Sequence, residues 1–159
     1  TIGDEVTVES SWKNYASERN VRFNEMEYHL PREHGLQALR EIRETLESGH
    51  PEVFFPIEVR YVHSDDIWLS PFYGRESMSI AVHRYFEEDF KPFFKSIEPI
   101  FRKYNGRPHW GKLNTLSGKE FKALYPRWDD FAAVRQQMDP QGRFLNTYLQ
   151  QLFAQGASG

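Results

Sequence analysis

Ionisable side chains alternate with apolar ones in two short stretches near the middle of the chain. Glu58 and Arg60 lie two residues apart, and His83 lies in the next patterned run, from Ser77 to Phe86. Because successive side chains of a β-strand point to opposite faces, Glu58 and Arg60 share one face of their strand. An imidazole on the same front can exchange a proton near neutral pH. This front is the best candidate for a functional site.

A second polar cluster is the run Arg107-Pro108-His109-Trp110-Gly111-Lys112. A lysine that is held beside aromatic rings in an enclosed place stabilises negative charge or, when desolvated, acts as a base. An aromatic turn with a solvated lysine explains the same run without any chemistry. The sequence leaves both interpretations of Lys112 open.

The other candidates also have structural explanations. Glu58 and Arg60 can form an exposed ion pair, which contributes about 0 to 1 kcal/mol. His83 can be a hydrogen-bonded histidine of the sheet, and Arg75 can support an aromatic-rich loop. Spacing alone does not separate these explanations from functional ones.

Composition excludes several classes of protein. The net charge of -3, from 20 basic and 23 acidic residues, predicts no nucleic-acid partner. The chain has no Cys, which excludes disulfide and thiolate chemistry. The six histidines lack ligand-like spacing with carboxylates, so we expect no metal site. There is no Gly-rich phosphate loop and no apolar run of about 20 residues that would span a membrane.

Six segments with strand or helix patterns position these residues. Period-two alternation marks the strands, and apolar residues three or four apart mark the helices. In chain order they are a strand over 22–30, a helix after Gly35 whose apolar side carries Leu36, Leu39, Ile42 and Leu46, strands around Glu58 and over 77–86, a helix over 87–104 and an extended segment over 108–113. This order predicts an α+β fold with a ferredoxin-like (βαββαβ) antiparallel sheet, helices on one face and the other face free for a ligand.

The chain divides into four parts on this pattern. Residues 1–21 are a lead-in segment, 22–116 the ferredoxin-like domain, 117–154 a C-terminal helical appendage and 155–159 a flexible tail. The appendage carries more apolar surface than one sheet can cover, so we expect it to dock on another domain or chain. Because the chain begins at Thr1 rather than Met, we expect it to be processed or a piece of a longer protein.

Several motifs resemble one known family. They are Glu58-x-Arg60, Asp65-Asp66-Ile67-Trp68-Leu69-Ser70-Pro71, Tyr73-Gly74-Arg75, the run over 107–112, Tyr125-Pro126-Arg127 and the ending Asp139-Pro140-x-Gly142-x-Phe144-x-Asn146. Over residues 22–154 the sequence resembles the C-terminal part of the sugar-1,4-lactone oxidases. This group of vanillyl-alcohol oxidase-type flavoenzymes includes D-arabinono-1,4-lactone oxidase, L-gulonolactone oxidase, L-galactonolactone dehydrogenase and alditol oxidase.

The resemblance implies a two-domain enzyme whose N-terminal half holds FAD and whose C-terminal half is the substrate cap. This chain would be the cap, inactive by itself and docked on the FAD-binding domain of the same parent protein. The implied reaction transfers hydride from a CH–OH group of an aldono-1,4-lactone or alditol to the flavin, which oxygen or another acceptor reoxidises. It implies catalytic roles for Glu58, Arg60, His83 and Lys112, and positions near substrate or flavin for Trp68, Ser70, Tyr73, Arg75, His109, Trp110 and Asn146.

Two other classes of function compete with this one. A stand-alone ferredoxin-like module would bind a sugar acid or lactone without flavin and without catalysis. A ferredoxin-like RNA binder would need exposed aromatic residues beside a basic face, which the acidic balance and Glu58 argue against. A cytoplasmic location is favoured, and membrane association stays open.

Overall fold

The computed structural model describes residues 8–16 and 20–157. These residues form both helices and strands over the first two thirds of the chain, and helices alone after that. The elements are α1 (Ser11–Tyr15), β1 (Phe23–Pro31), α2 (Arg32–Gly49), β2 (Glu58–Val62), β3 (Ser77–Tyr85), α3 (Lys91–Lys103), β4 (Arg107–Pro108), α4 (Gly118–Leu124), α5 (Trp128–Met138) and α6 (Thr147–Ala157).

The four strands form one antiparallel sheet in the order β2-β3-β1-β4. β3 pairs with β1 over its whole length, from Tyr85 opposite Phe23 to Ser77 opposite Pro31. β2 pairs with the other side of β3, and the two-residue β4 pairs with β1. The predicted mixed fold with an antiparallel sheet is confirmed, and β1 and β3 are its central strands.

One face of the central strands forms the core of the sheet. Its buried side chains alternate along the strands, as the period-two pattern predicts. They are Met26, Tyr28 and Leu30 of β1 and Met78, Ile80 and Val82 of β3. Helices α2 and α3 pack against this face. Burial of each large apolar side chain stabilises the fold by about 1.5 to 3 kcal/mol, so this face holds the sheet and leaves the opposite, polar face for a site.

Helix α2 begins at Arg32, directly after Pro31, and not after Gly35 as the pattern predicts. A Cβ at Gly35 would lie 2.6 Å from Cβ of Met78, so glycine allows α2 to approach β3 this closely. This contact directs Ala38 and Ile42 towards the core, because residues three and seven positions after Gly35 lie on the same face of the helix. Leu36 falls beside that face and is exposed, so its predicted place in the apolar stripe is wrong.

Strand β2 lies at the edge of the sheet, and its apolar side is largely uncovered. Val59 and Tyr61 are exposed, although the alternation predicts a buried back that they share with β3. The reason is that α2 and α3 contact β1 and β3, whereas no comparable set of contacts covers β2 within the described residues. The guanidinium of Arg32 lies instead over the ring of Tyr61, 5.0 Å from its centre.

Helix α3 begins at Lys91, four residues later than predicted. Asp89 Oδ1 accepts a hydrogen bond from the Lys91 N–H at 3.0 Å, and Pro92 occupies the first turn, where proline is favoured. Its stripe of buried Phe93, Phe94, Ile97 and Phe101 agrees with the predicted apolar spacing. The helix therefore closes the core over β1.

Helices α4, α5 and α6 form the C-terminal part of the fold. α4 begins with a capping box, in which Ser117 and Glu120 satisfy each other's backbone N–H groups. α6 packs on α4 and continues to Ala157, so the predicted flexible tail at 155–159 starts inside this helix. Gly156 is buried against the ring of Trp128.

The lead-in segment is described only in part. Helix α1 lies within it, whereas the predictions for residues 1–7, 17–19 and 158–159 fall outside the described residues. Across 8–16 and 20–157, no helical segment combines the length and apolar character of a membrane span.

Candidate active site

A pocket of about 450 Å³ opens on the polar face of the sheet. We call it the polar pocket. Three strands, the loop between β2 and β3 and the loop after β4 contribute side chains to it. The ionisable ones are Glu25, Glu27 and His29 of β1, Glu58 and Arg60 of β2, His83 of β3, and His109 and Lys112 of the loop. The four residues that the resemblance places in catalysis thus line one pocket.

Strand register arranges these side chains in rows across the sheet. Glu25 lies opposite His83. In the next row Ala81 of β3 separates Glu27 from Glu58. Because paired residues of neighbouring strands point to the same face, each row presents its side chains together in the polar pocket.

Arg60 of the edge strand β2 reaches across β3 to the central strand β1. Its Nη1 donates a hydrogen bond to Glu27 Oε1 at 2.9 Å, and its Nη2 donates to Glu58 Oε1. The side chain of Arg60 is 46% exposed, whereas that of Glu27 is only 5% exposed. The guanidinium therefore lies between two carboxylates and keeps one side open to the pocket.

Lys112, Glu25 and His83 form a second charged group. Lys112 Nζ pairs with Glu25 Oε2, and His83 Nε2 lies 3.5 Å from Glu25 Oε1. His83 Nδ1 donates to the carbonyl oxygen of Pro56 at 3.2 Å, which assigns a hydrogen to Nδ1. Nε2 is then the ring nitrogen that can exchange a proton next to the Glu25 carboxylate.

The loop after β4 is tied to β1 by its backbone. The N–H of His109 donates to the Glu27 carbonyl at 2.9 Å, and the N–H of Leu113 donates to the Glu25 carbonyl at 3.0 Å. These two bonds continue the β1 edge beyond the short β4. They bring Lys112, which is 87 residues away in sequence, to the side chain of Glu25.

His29 is buried at the end of the polar pocket. Its Nδ1 and the hydroxyl of Ser79 are hydrogen bonded at 2.7 Å, and its ring lies against Phe72. Burial lowers the pKa of His29 to about 3, with smaller contributions in the same direction from neighbours such as His109. The imidazole therefore stays neutral in the folded protein at any ordinary pH.

This lowered pKa predicts a pH dependence of stability. Unfolded His29 takes up a proton below pH 6.5 and the folded form does not, so stability present above pH 6.5 is lost as the pH falls towards 3. Between pH 7 and 5 we expect the free energy of unfolding of this chain to fall by about 2 kcal/mol more than that of His29→Gln. Urea unfolding at both pH values measures the difference. His34→Gln, at an exposed position, is the control, and equal slopes in all three proteins would refute the prediction.

The other predicted site residues have different surroundings. In the loop between β2 and β3, Trp68 lies under the guanidinium of Arg127, 4.6 Å from its ring centre. Ser70 Oγ donates to Asp65 Oδ2 at 2.5 Å, and the Tyr73 carbonyl accepts from Arg107 Nη1 at 2.8 Å. These contacts shape the loop, and none of the three predicted residues lines the polar pocket.

Arg75 and Asn146 also lie outside the polar pocket. Arg75 donates to the carbonyl oxygens of Asn105 and His29, at 2.9 and 2.8 Å, and burial lowers its pKa to about 10. Asn146 precedes α6, where its Oδ1 accepts from the Leu149 N–H at 2.9 Å. Their described contacts organise the fold, and their predicted roles near substrate or flavin stay predictions.

His109 and Trp110 line the polar pocket, and their predicted positions near substrate or flavin stay predictions. His109 Nδ1 accepts from the Gly111 N–H at 3.0 Å, and Trp110 Nε1 donates to the Leu69 carbonyl at 2.9 Å. The indole ring also packs against Phe121, so it joins the pocket to the C-terminal helices.

Sequence reasoning missed Glu25, Glu27 and His29 as site residues. The signal was present, because these three residues alternate with the buried Met26 and Tyr28 in the same period-two pattern that selected Glu58. The sequence pattern does not reveal that β1 pairs with β3. This pairing places the polar side of β1 on the same face of the sheet as Glu58, Arg60 and His83.

Glu25, Glu58 and His83 each place one ligand-type atom within 4.8 Å of the others. In the described residues all three already have protein partners, which are Lys112, Arg60 and the Pro56 carbonyl. The expectation of no metal stays a prediction.

A guanidinium held between carboxylates, next to a paired lysine and an imidazole, can bind the hydroxyl groups of a small polar molecule and hold or move a proton. The family model for D-arabinono-1,4-lactone oxidase matches residues 2–152. The relatives described in the next paragraph are named as oxidases and dehydrogenases of sugar lactones and alditols. The family is therefore one of oxidoreductases. The chain belongs to the D-arabinono-1,4-lactone oxidase family, as its motifs indicated.

Three curated relatives illustrate the similarity. L-gulono-1,4-lactone dehydrogenase of Mycobacterium tuberculosis (strain H37Rv) is 44% identical over 138 residues, 87% of this chain and 32% of that protein. L-gulonolactone oxidase of Mus musculus is 36% identical over 149 residues, 90% of this chain and 34% of that protein. Alditol oxidase of a Streptomyces species is 38% identical over 129 residues, 79% and 30% of the two chains. The chain thus spans about a third of the length of these relatives.

Proposed function

We propose that this chain is the substrate-binding C-terminal part of an FAD-dependent oxidoreductase. The enzyme oxidises a CH–OH group of an aldono-1,4-lactone or of an alditol. The observation that carries the proposal is the convergence of Glu58, Arg60, His83 and Lys112 on one polar pocket. Relatives named for the oxidation of gulonolactone and alditols support the choice of substrate class.

Each of these side chains has a task that its surroundings support. Arg60 has an open side towards the pocket and donates hydrogen bonds to substrate oxygens, while Glu58 accepts from substrate hydroxyl groups. His83 Nε2 accepts the proton of the reacting hydroxyl, and the neighbouring Glu25 stabilises the charged imidazole. Lys112 Nζ stabilises the negative charge that develops as that proton leaves.

FAD, when bound, supplies the acceptor for the hydride. Two cationic side chains, Arg60 and Lys112, line the open polar pocket and would stabilise the negative charge that a flavin ring beside the substrate gains on reduction. The sequence has no Gly-rich phosphate loop. We therefore assign the binding of the rest of FAD to a domain of the same parent protein outside this chain.

The order of the secondary-structure elements supports a substrate cap with a ferredoxin-like fold. Its order of elements from β1 to β4 is βαββαβ, and its strand order is β2-β3-β1-β4. An apolar groove of about 410 Å³ runs along α5 and the segment after it, where Met138 and Phe144 are exposed. We assign this groove to the docking surface for the FAD-binding domain.

An anaerobic titration of the parent protein tests the proposal. L-gulono-1,4-lactone and an alditol such as xylitol are added while the visible flavin absorbance is followed. Bleaching by either compound is the expected result, and the compound that bleaches at the lower concentration identifies the better substrate. A parent protein without flavin, or with flavin that neither compound reduces, would contradict the proposal and favour a binding module without catalysis.

A further inference from the structure

Glu27 is a nearly fully buried carboxylate on a central strand. Its side chain is 5% exposed, and its nearest cation among the described residues is Arg60, with Nη1 at 2.9 Å. His29 Nδ1 lies at 4.0 Å but carries no charge, because burial lowers its pKa to about 3. A buried carboxylate is costly unless it is paired. The fold therefore ties the location of the Arg60 guanidinium to that of Glu27.

The strand register places Arg60 close enough to Glu27 for their side chains to meet across β3. Arg60 lies opposite Ser79 of β3, and Glu27 lies opposite Ala81, one row further along the same face. The side chain of Arg60 crosses β3 diagonally over these two small residues. A larger side chain at position 81 would occupy the space that the guanidinium crosses.

The two carboxylates that hold Arg60 differ in what surrounds them. Glu58 lies on the edge strand and is 46% exposed, so water competes for its contact with Arg60. Glu27 lies on β1, which pairs on both sides, and is screened from water. A buried carboxylate on a central strand fixes the position of its partner more closely than an exposed carboxylate on an edge strand does. We therefore expect Glu27 to orient the guanidinium of Arg60 more strongly than Glu58 does.

We propose that Glu27 is a positioning residue for Arg60. This inference rests on the proposed function and deepens it. Glu27 holds one end of the guanidinium, Glu58 holds the other, and the remaining N–H groups face the polar pocket at a defined angle. Loss of Glu27 leaves Arg60 in the protein but misplaces it, which lowers kcat more than it raises KM.

The test uses the full-length parent protein with its cofactor bound. The variants are Glu27→Ala, Glu27→Gln, Arg60→Lys and the double variant Glu27→Ala/Arg60→Lys. We expect Glu27→Ala to lower kcat about 100-fold, the loss that a misplacement of about 1 Å can cause. Glu27→Gln keeps an acceptor oxygen but not the charge, and we expect about a tenfold loss. Because both residues act through one guanidinium, the double variant should be little worse than its worse single variant.

Glu41→Ala is the matched control. Glu41 also pairs with a cation, Lys103 Nζ at 2.9 Å, but this pair lies outside the polar pocket. Its kcat should equal that of the unmodified protein. Cofactor content and the thermal unfolding midpoint of every variant show whether it has folded, and Glu27→Gln, which keeps the shape of the side chain, serves where Glu27→Ala does not fold.

The outcomes separate this inference from the proposed function. An active Glu27→Gln with unchanged kcat, beside a defective Arg60→Lys, overturns the positioning role alone. Losses that multiply in the double variant also overturn it, because they show that Glu27 acts independently of Arg60. Full activity of Arg60→Lys instead contradicts the role of Arg60 in the proposed function.

Discussion

Arg60→Ala in the parent protein is expected to lower turnover by about 10³-fold or more while the flavin stays bound. Arg60 is the guanidinium that faces the polar pocket between Glu27 and Glu58. Removal of one preorganised donor at the reacting centre typically costs about 10² to 10³ in kcat. Here the change also removes a full charge and the group to which we assign substrate binding, so we place the loss at the upper end of that range or beyond it.

Turnover with L-gulono-1,4-lactone and the visible spectrum of the flavin measure this effect. The matched control is Arg43→Ala, which removes an exposed arginine of α2 whose partner is Glu47 at 3.5 Å. Its turnover should be unchanged. Near-normal turnover of Arg60→Ala would remove Arg60 from the proposed mechanism.

Stability and activity can be separated in this experiment. Arg60→Ala leaves the buried Glu27 without its cation, at an expected cost of about 2 kcal/mol, which is less than for a fully buried pair because Arg60 is half exposed. The double variant Arg60→Ala/Glu27→Ala removes both charges. We expect it to recover most of the thermal unfolding midpoint and none of the turnover.

Lys112→Met is expected to lower turnover about 100-fold, because it removes the charge that, in the proposed function, stabilises the developing negative charge of the substrate oxygen. It also leaves Glu25, whose side chain is 9% exposed, with His83 as its remaining ionic partner among the described residues. We therefore expect a lower thermal unfolding midpoint as well. Lys112→Arg keeps the charge in a planar, larger group and should recover only part of the turnover.

Lys103→Met is the control for Lys112. Lys103 forms a carboxylate pair of the same type with Glu41, at 2.9 Å, away from the polar pocket. Steady-state kcat and thermal unfolding are measured for each variant. A kcat of Lys112→Met that equals that of Lys103→Met would show that Lys112 has no part in the reaction.

Much of the local structure follows from the sequence. The period-two alternation predicted that Glu58 and Arg60 share a face with His83, and the polar pocket contains all three. The apolar spacing of residues 93–101 predicted α3 and its buried side. These predictions succeed because side-chain direction within a strand or helix depends only on local backbone geometry.

The errors arose where burial depends on distant residues. Leu36 fits the apolar stripe of α2, but the contact of Gly35 with Met78 turns a different side of the helix into the core. Tyr61 alternates correctly with Arg60, yet it lies on an edge strand that the described helices do not cover. Neither neighbour can be identified from the pattern of one segment.

The sequence by itself determined the family, the mixed fold and the face of each strand on which the ionisable residues lie. Only the tertiary structure decided which residues meet on that face. It places Glu27 in one row with Glu58, and it brings Lys112 to Glu25 through the backbone bond of Leu113. The physical reason is that backbone sterics act over a few neighbouring residues, whereas strand register and loop position depend on contacts between segments far apart in the chain.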